Sequence, residues 1–321
     1  MKNIGIITSG GDAPGMNAII RSVVRTAIFY NLKVIGIYEG FKGLYEKKFV
    51  ELGSRSVSGI INKGGTILKT KRFYEFKKKE IREKCYENLK EIGIEGLVVI
   101  GGDGSAKASY LLHSEFNFPI VHIPASIDND IYGTDYTVGF DTAVNTAIDA
   151  IDKIRDTATS HERTFIIEVM GRNSGNLALE IGLVCGAEIV IIPEKKIDID
   201  SIVEEIKEEA VRGKKSCLII LAEGAGKAEE LSKKLNEKLP DREIRYTVLG
   251  YIQRGGSPTY LTRKLATIFG NKSVELLIKK MYGYMVGIKG EEVVYIPLAE
   301  VVNNSKLPNF EYFEYIKKMA I

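Results

Sequence analysis

Short apolar runs alternate along the chain with stretches whose apolar residues recur at helical spacing. The runs Ile4–Thr8, Val34–Tyr38, Leu97–Ile100, Ile120–Ile123, Thr164–Val169, Ile189–Ile192, Cys217–Leu221 and Thr247–Leu249 have the length of strands. Several are nearly continuous Val, Ile and Leu, the composition of parallel strands covered on both faces. Between them, Asn17–Phe29 carries Ile20, Val23, Val24, Ala27 and Ile28 on one stripe, and Asp141–Thr157 carries Val144, Ala147, Ile148, Ile151 and Ile154. Ser201–Val211 and Leu261–Met281 share that helical period. Strand and helix in alternation predict an α/β fold with a mostly parallel sheet. No low-complexity linker and no repeat of roughly 20–50 residues interrupts the pattern. The glycine- and aspartate-rich stretch near residues 125–140 is the expected boundary, just before the long helix. One device recurs: strand, Gly-Gly-Asp, helix, at residues 10–12 and 101–103.

Composition narrows the function classes. At 321 residues, and about 150 per domain, two domains or lobes are expected. Lys and Arg number 45 against 42 Asp and Glu, a net +3, with the signs interspersed. That balance lacks the dense basic footprint of a nucleic-acid binder. The three cysteines, Cys85, Cys185 and Cys217, form no CxxC pair, which argues against a disulfide framework or a structural zinc. A reduced, cytoplasmic setting fits them. No run approaches the ~18 apolar residues of a membrane span, and the N-terminus reads as a first core strand rather than a signal peptide. Glycine is the deviation, at 32 residues, and it clusters where apolar runs end.

Two of those clusters suit phosphate. Thr8–Gly15 (TSGGDAPG) follows a strand and opens a helix. Consecutive glycines let the backbone approach a ligand and turn amides toward it, and a helix N-terminus favours an anion. A tight turn with no ligand accounts for the same residues. The segment is not GxGxxG, so a dinucleotide-binding dehydrogenase is poorly supported. Val98–Ser109 (VVIGGDGSAKAS) repeats the device and brings Asp103 to the carboxyl end of a strand, where open α/β folds bind ligands. A carboxylate repels phosphate unless Mg²⁺ bridges them. The competing reading makes Asp103 a helix cap.

Two more clusters suit the acceptor. Ile123–Asp135 (IPASIDNDIYGTD) also follows an apolar strand. In an extended segment Asp128 and Asp130 share a face, so one could take a hydroxyl proton while the other lies nearer a metal. An Asx turn explains one or two of these residues but not three acids. Arginines lie at further strand ends: Arg163, Arg172 within EVMGRNSG, Arg245, and Arg254 within GYIQRGGSP. Strand-end arginines beside glycines suit bidentate phosphate capture. Arg21 and Arg25, at i and i+4, and the run Arg212, Lys214, Lys215 read from spacing alone as solvated surface. His113, His122 and His161 show no ligand spacing and read as structural. No Ser-His-Asp order or GxSxG elbow supports a hydrolase.

Together the motifs TSGGDAPGMNA, INKGGTIL, GLVVIGGDGS, IDND, YGTDYTVGFDTA, DTATSHER, EVMGR and GYIQRGGSP resemble the bacterial ATP-dependent phosphofructokinases, in order and over essentially the whole chain. The resemblance implies two lobes, each a mostly parallel sheet flanked by helices, with the active site in the cleft between them. Residues 1–138 with 251–300 would bind ATP, and 139–250 with 301–321 the sugar phosphate. It implies transfer of the ATP γ-phosphate to the C1 hydroxyl of fructose 6-phosphate. Gly11, Arg72, Phe73, Gly102, Asp103, Gly104 and Ser105 would contact ATP, Asp103 reaching Mg²⁺. Asp128 would be the base, with Arg72 and Arg172 stabilising the transferring group. Ser126, Ile127, Met170, Gly171, Arg172 and Glu223 would hold the sugar. Tyr251, Ile252, Gln253 and Arg254 would hold its 6-phosphate, with Arg163 and Arg245 from a neighbouring subunit of a homotetramer. An effector pocket for ADP or phosphoenolpyruvate would use Arg21, Ser22, Val23, Val24, Arg25, Arg155, Gly186, Ala187, Glu188, Arg212, Lys214, Lys215 and Ser216.

Pyrophosphate-using relatives carry an acid at the position of Gly104 and a lysine at that of Ala125, so this chain favours ATP. A pyrophosphate-dependent form and a tagatose-6-phosphate kinase are the alternative enzymes. A sugar-phosphate sensor is the non-enzymatic alternative, and the intact Asp103, Asp128 and Arg172 weigh against it. The family usually has GHIQRGG where this chain has Tyr251. A phenol donates a hydrogen bond but brings no positive charge near neutral pH. Sugar-phosphate binding is therefore expected to be weaker or less pH-sensitive than with histidine, which a comparison of wild type with Tyr251→His across about pH 6–8 tests. Superimposable profiles from binding titrations would contradict this.

Overall fold

The structure, a computed structural model, describes residues 1–196 and 198–320. The final residue of the expected second lobe, 321, lies outside that range. The chain runs β1 (Asn3–Ser9), α1 (Met16–Phe29), β2 (Lys33–Ile37), α2 (Gly40–Tyr45), β3 (Phe49–Leu52), α3 (Lys79–Glu91) and β4 (Gly96–Gly101). It continues through α4 (Asp103–Phe116), β5 (Ile120–Ser126), β6 (Val138–Gly139), α5 (Phe140–Ser160), β7 (Thr164–Val169), α6 (Asn176–Val184) and β8 (Ile189–Ile191). Then follow α7 (Ile199–Val211), β9 (Cys217–Ala222), α8 (Ala228–Lys238), β10 (Ile244–Val248) and α9 (Tyr260–Ile278). The last elements are β11 (Tyr284–Lys289), β12 (Glu292–Pro297), α10 (Leu298–Asn303) and α11 (Glu311–Met319). No helix among the described residues is long and apolar enough to cross a membrane.

Two compact units result. The first comprises Met1–Thr142 and Arg254–Lys306. Its sheet has the order β12-β11-β5-β4-β1-β2-β3, with β6 beside β5. The central strands are parallel, and antiparallel pairs (β2/β3 and β11/β12) close both edges. The central strands are buried from end to end, which is why they read as unbroken apolar runs. One core packs Ile7, Leu97, Val99 and Ile120 of the sheet against Phe41, Leu44, Cys85 and Leu89 of the helices.

The second unit comprises Ala143–Gln253 and the residues from Leu307 onward. Its sheet, order β10-β7-β9-β8, is parallel throughout. Ile166, Ile219 and Leu221 pack against Ile202 and Ile206 of α7 and Leu235 of α8.

The strands that differ from the sequence reading lie mostly at sheet edges, but the buried strand β11 is also absent from it. The strand expected at Thr247–Leu249 is β10, Ile244–Val248, whose middle residues Arg245 and Tyr246 face solvent at a sheet edge. The edge strand β3 mixes polar and apolar residues, and β12 carries the short apolar run Val293–Ile296, which the sequence reading passes over. Helix α3 is so charged that Arg82 and Asn88 are half of its four buried residues.

Helix α1 lies against α9 at a close crossing. A Cβ on Gly270 of α9 would stand 2.5 Å from Ser22 Cβ and 3.1 Å from the Ile19 carbonyl oxygen. In an uncrowded helix, Gly→Ala stabilises by about 1 kcal/mol. Here the sign should reverse, with Gly270→Ala costing about 1–3 kcal/mol in urea unfolding because the packed helices must separate. A stabilised variant would contradict the close crossing.

Candidate active site

In the first unit the strand register sets three loops side by side. Ser9 of β1 pairs laterally with Gly101 of β4, and Gly101 with Pro124 of β5. β1 and β4 therefore end level and β5 runs two residues further, and the segments after Ser9, Gly101 and Ser126 leave the same edge of the sheet. They touch. A Cβ on Gly10 would lie 3.3 Å from Ser105 Oγ, and one on Gly102 would lie 3.8 Å from Ser126 Oγ. A Cβ on Gly101 would stand 2.5 Å from both the Ser9 carbonyl oxygen and Ser105 Oγ, so only glycine fits. Gly10 and Gly15 take left-handed φ values of 88° and 96°, the second opening α1.

Asp103 is the first residue of α4, and its exposed carboxylate pairs with Lys107 at 2.7 Å, one helical turn on. No three His, Cys, Asp or Glu side chains among the described residues gather to hold a metal ion. A lone carboxylate at the mouth of a glycine cradle fits magnesium nonetheless, because that ion is held by one or two carboxylates with phosphates and waters completing its shell. Ser105 is buried, with its hydroxyl donating to the Ser9 carbonyl at 3.1 Å, so it braces two of the loops. Gly104 faces open space, with no atom within 4 Å of a built Cβ.

The acidic loop is turned more sharply than an extended segment. Asn129 has φ 50°, so Asp128 and Asp130 do not share a face as two residues of a strand would. Asparagine tolerates this conformation, and its side chain holds the turn. Its Nδ2 donates to the Asp135 carbonyl at 3.0 Å, and its Oδ1 accepts from Thr137 N at 3.0 Å. Thr137 in turn donates to the Ser126 carbonyl at 2.6 Å. Asp128 sits half-buried at the start of this turn, its amide bonded to Ser126 Oγ at 3.1 Å, while the Ile127 side chain is buried. Arg254 is tied to the first loop, its Nη2 2.5 Å from Asp12 Oδ1.

Arg72 is exposed and Phe73 half-buried, its ring 5.7 Å from that of Tyr45. The turn after them is anchored by a residue the sequence did not flag. Arg82, 5% exposed, donates to the carbonyls of Phe76 (2.9 Å) and Lys77 (2.7 Å) and pairs with both oxygens of Glu115 on α4. An arginine in a charged helix looks solvated, and only the fold reveals its burial.

The second unit gathers another set at the carboxyl ends of its strands. Met170 N donates to Gln253 Oε1 at 2.9 Å, and Arg172 N donates to Glu223 Oε1 at 2.9 Å. Gly171 has φ 132° and Arg172 φ 54°, an uncommon conformation for a non-glycine residue and one that clusters at functional sites. Met170, Gly171, Arg172, Glu223 and Gln253 thus belong together, with Tyr251 and Ile252 exposed beside Gln253. Arg163 and Arg245 do not join them. They sit at the amino ends of β7 and β10, sharing Glu243, whose carboxyl they hold below its usual range, Arg163 first.

The basic residues of the expected effector pocket fall in both units. In the first, Ser22, Val23 and Val24 turn into the core, Ser22 donating to the Thr267 carbonyl at 2.6 Å, while Arg21 is half-buried and Arg25 exposed. In the second, Arg155 reaches the carbonyls of Cys185 and Gly186, and Lys214 pairs with buried Glu188 at 2.8 Å. Lys215 pairs with Glu162 at 2.7 Å, Arg212 lies 3.7 Å from Glu208, Ala187 is buried and Ser216 is half-buried.

Glycine loops, an exposed helix-start carboxylate, and an aspartate beside them are the equipment of a nucleotide-dependent phosphotransferase. Comparison with known proteins agrees. The profile of the family described as Phosphofructokinase matches residues 3–277. The ATP-dependent 6-phosphofructokinase of Caldanaerobacter subterraneus subsp. tengcongensis is 54% identical over the full length of both chains. That of Sulfurihydrogenibium sp. is 50% identical over 98% of each. The phosphofructokinase structure from Saccharomyces cerevisiae superposes with a TM-score of 0.88 at 33% identity, covering all of this chain and 48% of that one. This chain belongs to the phosphofructokinase family.

The open space at Gly104 permits a test of donor choice that leaves the fold intact. Gly104→Asp should fold normally and lower kcat/KM for ATP about a hundredfold, because a carboxylate there repels phosphate oxygens at close range. Unchanged ATP kinetics would contradict the placement of the triphosphate.

Proposed function

We propose that this enzyme transfers the γ-phosphoryl group of ATP to the C1 hydroxyl of fructose 6-phosphate, giving fructose 1,6-bisphosphate and ADP in glycolysis, under allosteric control. The observation that carries the reading is the shared sheet edge at which β1, β4 and β5 finish, with a glycine or aspartate loop on each, in a chain half identical to ATP-dependent 6-phosphofructokinases.

Phosphoryl transfer asks a protein chiefly for positioning and charge stabilisation. The amides around Gly11 and Gly102–Gly104 cradle the phosphates, Arg72 and Phe73 hold ATP, and Ser105 braces the cradle. Asp103 would hold Mg²⁺, which when bound would neutralise phosphate charge. Asp128 accepts the proton of the C1 hydroxyl as the O–P bond forms and the bond to the ADP oxygen breaks. Ser126, Ile127, Met170, Gly171, Arg172 and Glu223 hold the sugar, and Tyr251 through Arg254 its 6-phosphate.

Arg163 and Arg245 belong to a neighbouring copy's sugar. Residues 164–169 of β7 separate Arg163 from Met170, about 20 Å at strand rise, too far for one small sugar phosphate to span. That separation supports a homotetramer in which subunits complete one another's sites. ADP and phosphoenolpyruvate act at the basic set of Arg21, Arg25, Arg155, Arg212, Lys214 and Lys215, with the backbone around Gly186–Glu188. The enzyme works in the cytoplasm.

Purified protein with ATP, Mg²⁺ and fructose 6-phosphate should release ADP only when the sugar is present, and much faster than with pyrophosphate as donor. Asp128→Asn should lower kcat about 10²–10⁴-fold, the range for a lost general base, with nucleotide affinity unchanged. Sugar-independent ADP release, or an Asn variant as fast as the wild type, would contradict the reading.

A further inference from the structure

Arg72 is exposed, and no hydrogen bond or ion pair among the described residues holds its guanidinium. Whatever fixes it must act on its backbone. Residues 69–73 belong to no helix or strand, so no ladder holds them. Threonines tie them to the first glycine loop instead. Thr70 Oγ1 donates to the Gly10 carbonyl at 2.9 Å. Thr8, fully buried near the end of β1, donates its hydroxyl proton to the Lys69 carbonyl at 2.7 Å. The two bonds run in opposite directions between the same two segments and form a reciprocal clasp.

The clasp is braced from behind. A hydroxyl has one proton, and Thr8 gives its own to Lys69. In its 3.0 Å contact with Thr66, Thr8 therefore accepts and Thr66 donates, while Thr66 Oγ1 takes the Leu68 amide at 3.3 Å. Hydrogen bonds chained in one direction strengthen one another. Lys69 has φ 56°, a conformation that a non-glycine residue keeps only where its surroundings impose it. Its N–H is bonded to the Thr66 carbonyl at 3.1 Å and its carbonyl to Thr8, so the turn is held on both sides. Arg72 follows Thr70 by two residues. Beyond it Phe73 packs against Tyr45, and Lys71, itself exposed, adds an ion pair with Glu39 at 3.0 Å, a kind of contact that holds a chain weakly.

We propose that Thr70 is a positioning residue for Arg72: by bonding the Gly10 carbonyl it fixes the Arg72 backbone against the phosphate loop, so that the guanidinium meets the ATP phosphates from a set distance. An arginine side chain already loses rotamer freedom when it grips a ligand, and a loose backbone beneath it would add to that loss. The inference rests on the proposed reading that Gly11 and Arg72 hold ATP, and adds the tie between these two parts of the site.

Thr70→Val keeps the shape of the side chain and loses the hydroxyl, whereas Thr70→Ser keeps the hydroxyl. With Mg²⁺ and fructose 6-phosphate present, kcat/KM for ATP should fall about tenfold in the Val variant, the size of one lost hydrogen bond, and stay within about threefold of wild type in the Ser variant. The KM for fructose 6-phosphate should be unchanged in both. A merely structural role would lower activity whatever stands at residue 72, so a double-mutant cycle decides. In an Arg72→Met background, Thr70→Val should change kcat/KM by less than about twofold, because the group it places is gone. An equal loss in both backgrounds, or a Val variant as active as wild type, would overturn the inference. Arg72→Met as active as wild type would instead overturn the reading of Arg72 itself. Should Thr70→Val not fold, Thr70→Ala, which also lacks the hydroxyl, enters the same cycle.

Discussion

The lateral register of three parallel strands is the constraint on which the nucleotide side of this enzyme depends. Ser9, Gly101 and Pro124 are neighbours across β1, β4 and β5, so the loops that follow leave one edge of the sheet together. Parallel strands buried on both faces hold register firmly, since a one-residue slip would exchange their two packed faces. The shared edge leaves little room between the loops. At Gly101 any side chain would collide with Ser9 and Ser105, so the glycine is demanded by packing before any ligand is considered.

Around that edge the molecule divides its labour between exposed groups that can meet a ligand and buried polar groups that aim them. Arg72 and Asp103 face solvent, and Asp128 is half-exposed. Arg82, Asn129 and His122 are buried, and each bonds the backbone of a loop carrying one of them, while buried Ser105 bonds the Ser9 carbonyl at the first glycine loop. Asn17 does the same for the segment before Arg72, donating to the carbonyls of Lys63 and Gly64 and accepting from Ile67 N. Satisfied buried networks of this kind rigidify a site at the cost of tolerating little change. In the second unit buried Gln253 and half-exposed Glu223 bond the amides of Met170 and Arg172.

The parts of this fold that were readable in advance are those with a single strong signal. Strands β1, β4, β5, β7 and β9 are buried along their length, and their apolar runs announce them. The edge strands β3, β10 and β12 alternate or mix, because one side meets water, and their bounds were misjudged or missed. The glycine loops were legible because strand, paired glycines and helix form a local pattern. The relation between Asp128 and Asp130 was not, because it turns on the backbone of Asn129, a residue whose left-handed state is an option rather than a rule. The buried contacts of Arg82 and His122 were invisible for a different reason. Their partners are 33 and 21 residues away for Glu115 and Gly101, and only the packed sheet brings them together. Ser22, Val23 and Val24 turn inward while Arg25 is exposed, since adjacency in sequence does not put residues on the same helix face.

Amide hydrogen exchange with and without MgADP tests the central claim most directly. The cradle predicts that nucleotide slows exchange at residues 10–12 and 102–104 together, since all three strand-end loops share one edge and the glycine amides of two of them meet the phosphates. Nucleotide binding that is plain by calorimetry yet leaves both segments exchanging at their original rates would contradict it.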